Sequence, residues 1–128
     1  MKKIVALIAL FLLPAFAAIP GSRATLVSSL STTLTRIAAT GSNLSGYNIS
    51  NPNAATVYVQ IFDAAATGDV TLGSTTPNLS IAVPAFGVTD ALPSSGVAFQ
   101  NGIVIAATTT ATGSSAPSTA LVANFFTQ

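Results

Sequence analysis

Alternation of apolar and polar side chains is the clearest regularity along the chain. From Thr56 to Asp63, Val57, Val59 and Ile61 fall on one face of an extended segment, and Tyr58, Gln60 and Phe62 on the other. This period of two is that of a β-strand. Leu121 to Thr127 repeats it, with Leu121, Ala123 and Phe125 set against Val122, Asn124 and Phe126. Shorter strands are predicted over Leu44–Ser50, Leu79–Val83, Val97–Phe99 and Ile103–Thr108. Turn chemistry separates them. Asn51-Pro52-Asn53 precedes the first strand, Ala64 to Asn78 forms a loop with Gly68-Asp69, Gly73 and Pro77, and Pro84 stops Leu79–Val83. Asn101-Gly102 reads as a tight hairpin turn into Ile103, and Thr109 to Thr119 as a low-complexity polar loop.

Leu26 to Ala39 carries two patterns at once. Leu26, Leu30, Leu34 and Ile37 have helical spacing, but the density of Ser and Thr works against a helix. A strand is predicted over Thr32–Ala39, leaving residues 18–31 as an N-terminal arm or short helix. Residues 32–128 then form one all-β domain. Its expected architecture is an antiparallel β-sandwich, jelly-roll or Ig-like, of about seven strands.

The first 17 residues follow a different rule. Lys2 and Lys3 precede an apolar run from Ile4 to Leu13, and Ala15-Phe16-Ala17 has the small-x-small form of a cleavage site. This is the layout of a secretory signal peptide cut before Ala18. The run falls short of the roughly 20 residues that a spanning helix needs, and Pro14 interrupts it. The expected location is therefore exported: periplasmic, cell-surface or extracellular. Membrane contact is expected only through the signal segment, if it stays uncleaved.

Composition narrows the chemistry. Charged residues are 5% of the chain, where roughly a quarter is usual. The net charge of +1 leaves no basic footprint for nucleic acid. Histidine, cysteine, tryptophan and glutamate are absent. That removes Ser/His/Asp and Cys/His nucleophiles, His- or Cys-based metal sites and paired-Glu acid/base chemistry. Beyond Ala18 no lysine remains, so a lysine-based isopeptide crosslink is closed as well. No enzyme activity, cofactor or metal is expected.

The strand-and-turn motifs carry a resemblance. Gly46-Tyr47-Asn48-Ile49-Ser50-Asn51-Pro52-Asn53-Ala54-Ala55, with Tyr58-Val59-Gln60-Ile61-Phe62-Asp63 after it, resembles small β-sandwich structural and decoration-type proteins encoded among tailed-bacteriophage virion genes. Ser74 to Ala85, Gly96-Val97-Ala98-Phe99, Gly102 to Thr109 and Val122 to Phe126 extend the resemblance over residues 44–128. It implies a non-catalytic sandwich displayed on a particle, with virion localisation, and it supplies no catalytic residue.

Candidate contacts follow from these constraints. Phe125 and Phe126 must face opposite sides of their strand, one toward a core and one toward a contact surface. Tyr58, Phe62, Phe125 and Phe126 are the expected self-association residues, aromatics being prominent in both settings. Asp63, Asp69 and Asp90 read as turn residues, with a calcium site from two of them and backbone carbonyls as the alternative. Asn43, Asn48 and Asn78 open N-x-Ser triplets, read as turn and strand residues rather than glycosylation sites. So few charges leave copies little to repel one another. The expected function is a structural or display subunit that self-associates on a virion or cell surface, as a homo-oligomer or with other structural subunits. Exposed edges at Thr32–Ala39 or Leu121–Thr127 are where strands would add. The alternative is a secreted surface-filament subunit or a glycan-binding adhesin module.

Overall fold

The computed structural model describes residues 21–91 and 96–128. The signal peptide expected over residues 1–17 lies outside the described residues. Nine strands form two antiparallel sheets: β1 (Arg23–Leu30), β2 (Thr35–Ala38), β3 (Ser42–Ser50), β4 (Val57–Asp63), β5 (Leu79–Val83), β6 (Val88–Ala91), β7 (Val97–Phe99), β8 (Ile103–Thr108) and β9 (Leu121–Thr127). Sheet A runs β1-β9-β3-β6, with β7 pairing β3 alongside β6; sheet B runs β2-β8-β4-β5. The molecule is the expected all-β sandwich, with nine strands among the described residues where about seven were expected, β1 and β6 being the additions. Among the described residues no helix is long and apolar enough to cross a membrane.

The alternating faces meet between the sheets. Leu44, Ile49, Phe99, Leu121, Ala123 and Phe125 from sheet A pack against Val57, Val59, Ile61, Ile81, Val83, Ile103, Ile105 and Ala107 from sheet B. Full burial of each large apolar side chain is worth about 1.5–3 kcal/mol. With no disulfide, this layer is the main source of stability.

Sheet B is also covered on its other side. Every residue of β8 is buried, because two loops lie over the outer face. Phe62 and Val104 form a second core with Ala64 and Val70 from the loop after β4, flanked by Leu34 and Leu72. Farther along, Gln60 is fully buried and its Nε2 donates to Thr108 Oγ1 at 2.6 Å and to the Gly113 carbonyl at 2.9 Å. Ser80 Oγ donates to the Ala111 carbonyl at 2.9 Å. The polar loop after β8 is thus tied to sheet B by side chains.

Three expectations need correction. Residues 23–30, read as an arm, form the long edge strand β1. Asn101-Gly102 is not a hairpin turn, because β7 belongs to sheet A and β8 to sheet B. The chain crosses between sheets there, and Gly102 is what lets it pass: a Cβ would stand 2.6 Å from both the Ala38 and Ala64 carbonyl oxygens. β6, which sequence pattern did not indicate, completes the edge beside β3.

The opposite end of the sandwich is fastened by two buried asparagines. Asn51 Nδ2 reaches the carbonyls of Ala55, Val83 and Pro84 at 2.9, 3.1 and 3.0 Å. Its Oδ1 accepts from the Asn53 backbone N–H and from Asn53 Nδ2. Asn53 in turn exchanges two bonds with the backbone of Thr119. The turn signal Asn51-Pro52-Asn53 is therefore a clamp on three crossings between the sheets.

Candidate functional site

Strand position decides which aromatic side chains can meet a partner. Phe125 points into the main core and Phe62 into the second core, with exposures of 0% and 1%. Burial removes both from any contact surface of the folded chain, correcting the expectation for them. Phe126 lies on the outer face of sheet A between Ala24 of β1 and Gly46 of β3, half-buried. Tyr58 lies half-buried on the outer side of sheet B, between Ala82 and Thr108.

The edges also differ from expectation. Leu121–Thr127 is not an edge, because β9 lies between β1 and β3 in the middle of sheet A. Thr35–Ala38 is an edge, but a guarded one. It has four residues, includes Arg36 and breaks register between Arg36 and Ala38. The other edges carry guards too. β5 lies between Pro77 and Pro84, β6 has four residues including exposed Asp90, and β7 has three.

β1 is the exception. It has eight residues, and from Ala24 to Leu30 it contains neither a charge nor a proline. Arg23 to Val27 hold unbroken register with β9 on one side, the register shifting between Val27 and Leu30, and among the described residues no strand pairs with the other side. The sheet face next to this edge is bare. Leu26 is 62% exposed on it, with Val122 at 45% and Val88 at 56%. Nothing among the described residues covers this face as the loops cover sheet B. The signal that could have found β1 is its uncharged run of Thr, Leu, Val and Ser; Val27 and Leu30 reach the core, but the register shift between them breaks the alternation and the rest of the strand is mostly exposed.

The charged groups gather at the Gly102 end of the sandwich. Asp63 and Asp69 border a cleft of about 310 Å³ together with Asn78 and Asn101. The Asn101 backbone N–H donates to Asp63 Oδ1 at 2.7 Å. That bond, helped by the Gln100 and Gly102 backbone and outweighing an opposing loss of solvation, holds the Asp63 carboxyl below its ordinary value. Asp69 Oδ2 accepts from the Ala66 N–H at 3.2 Å, closing a short 3₁₀ turn over Thr67–Asp69. Both aspartates hold turns, as expected, whereas Asp90 stands in β6 opposite Asn48. Asp63 and Asp69 share a cleft, but no group of three or more His, Cys, Asp or Glu side chains forms among the described residues.

A second cleft, of about 550 Å³, opens at the same end. Arg23 and Arg36 both line it, with Thr40 and Ser42. No acidic side chain does, although Gln128, the last residue of the sequence, lines it as well. Of the three triplet asparagines, Asn43 and Asn48 are exposed on β3, while Asn78 Oδ1 accepts from the Asp63 N–H at 2.8 Å. Comparison with protein-family models, with curated proteins and with solved structures finds no match to this chain.

Proposed function

We propose that the protein is a non-catalytic structural subunit that self-associates, and that β1 is the strand through which copies join. The observation that carries this reading is the contrast among the sheet edges. Shortness, proline or charge guards the others, whereas β1 is longer than any of them, uncharged from Ala24 to Leu30 and in unbroken register from Arg23 to Val27, with its one irregularity between Val27 and Leu30. Unpaired N–H and C=O groups along such an edge are a template for another strand. Two β1 strands related by a two-fold axis run antiparallel, so one surface serves both partners. Pairing would continue sheet A across the junction and bring exposed Leu26 near its counterpart. The resemblance of residues 44–128 to bacteriophage decoration-type proteins agrees with this reading, with display on a virion or cell surface as its setting.

Leu26→Lys tests it, in protein purified after expression of the full 128-residue sequence. Leu26 is mostly exposed, so the change should alter stability by no more than about 0.5 kcal/mol. Light scattering during size-exclusion chromatography should show an oligomer for the parent and a shift toward monomer for the variant. A parent that stays monomeric at high concentration, or a variant that associates equally well, refutes the proposal.

A further inference from the structure

The two charged clefts described above sit side by side. Ala38, which lines the arginine cleft, and Ala64, which lines the aspartate cleft, both direct carbonyl oxygens to within 2.6 Å of where a Gly102 Cβ would stand. Register gives the same placement: Ile103, next to Gly102, pairs with Ala38 on one side and Asp63 on the other. One residue's width of backbone thus separates the cleft holding both arginines from the cleft holding two of the three aspartates. We infer that this end of the sandwich is a docking surface for the same end of a second copy.

The two halves of this end are complementary in charge. A surface with a positive half beside a negative half matches itself when turned about a two-fold axis along the boundary. The arginine cleft of each copy then faces the aspartate cleft of the other, and both contacts form at once. Arg36, on an edge strand, and Asp69, on an exposed turn, are the pair free to engage, since both are exposed. Asp63 is committed to the backbone of the Gly102 crossing. The contact is separate from β1 pairing in the residues that engage, Arg36 and Asp69, although Arg23 of β1 lines the same arginine cleft. Exposed ion pairs are individually weak and screened by salt, so this contact sets orientation and responds to ionic strength, whereas a backbone ladder does not.

A charge-swap series by sedimentation tests it. The full chain carrying Leu26→Lys, which blocks the β1 contact, is compared with the same chain carrying Arg36→Asp, Asp69→Arg or both. At about 0.02 M salt, where screening is weak, the Leu26→Lys chain should retain a weak dimer that dissociates at about 0.5 M. Each single reversal puts like charges opposite in both halves of the contact and should weaken that dimer about ten-fold or more. The double swap restores opposite charges and should recover it. Asp69→Asn keeps an acceptor for the Ala66 N–H and should give an intermediate loss. No low-salt dimer, or a double swap no better than the singles, overturns the end contact and leaves β1 pairing untouched. Swap-dependent dimers in chains that ignore Leu26→Lys would support the end contact alone.

Discussion

Replacing Asn51 by aspartate exchanges one amino group for one oxygen, yet it should cost about 4 kcal/mol at neutral pH. Nδ2 shares two protons among three carbonyl oxygens at 2.9–3.1 Å, and the residue is 1% exposed. Removing the side chain, as in Asn51→Ala, loses these bonds and strands buried carbonyls, for about 3 kcal/mol. Aspartate keeps the oxygen that accepts from Asn53 but turns an anionic oxygen on the three carbonyls. An uncompensated buried charge is more costly than a missing partner, hence the larger figure. Desolvation and the facing carbonyls both raise the folded-state pKa above the unfolded value of about 3.9. Relative stability of the variant is therefore greatest below the unfolded pKa and falls as pH rises through the folded one. Urea unfolding followed by far-UV circular dichroism at pH 7.5 and about pH 4.5 reads this directly. Aspartate should be less stable than alanine at the higher pH, and equal to it or better at the lower. A cost below about 1 kcal/mol at pH 7.5, or an aspartate–alanine difference that does not move with pH, would refute the role given to Asn51.

Two further outcomes follow from the geometry. Phe86 is 75% exposed and holds a left-handed φ of 50° in the turn closed by the Gly87 N–H on the Pro84 carbonyl. Phe86→Gly relieves that conformation and should leave thermal stability unchanged or raise it by up to about 1 kcal/mol; a clear loss would mean that the ring packs in a way its exposure denies. Because the Asp63 carboxyl titrates below its ordinary value, it contributes stability above the unfolded pKa, lost as pH falls through the folded one. Asp63→Asn should flatten that part of the acid unfolding curve, as measured by dichroism, and an unchanged acid limb would argue against the Asn101 contact.

Sequence pattern is informative wherever a strand has at least one face in the main core. β4, β5, β7, β8 and β9 match the expected segments to within a residue, since alternation in Val57 to Phe62 or Leu121 to Phe126 is imposed by the core itself. It was weakest at the margins. β1 and β6 are edge strands with exposed faces, so burial left little mark on their residues. Non-local facts were the least legible. Asn101-Gly102 has the local chemistry of a hairpin, and only the assignment of β7 and β8 to different sheets shows that it is a crossing. Likewise the period of two placed Phe62 opposite Val59 and Ile61, but no local signal says that a distant loop buries that side as well. The candidate edges share this weakness: of the two expected, Thr32–Ala39 holds an edge strand, β2, whereas Leu121–Thr127 is covered by β1.

The order of the strands has a consequence for the timing of folding. Among the described strands, only β4 and β5 are joined as neighbours in both chain and sheet. The centre of sheet A is β9, the last strand in the sequence, and it brings Leu121, Ala123 and Phe125 to the core. A ribosome-bound chain lacking that strand would leave β1 without its partner and the hydrophobic layer unfinished. Maturation must then wait until β9 has been synthesised and proceed slowly, as topologies dominated by distant pairings do.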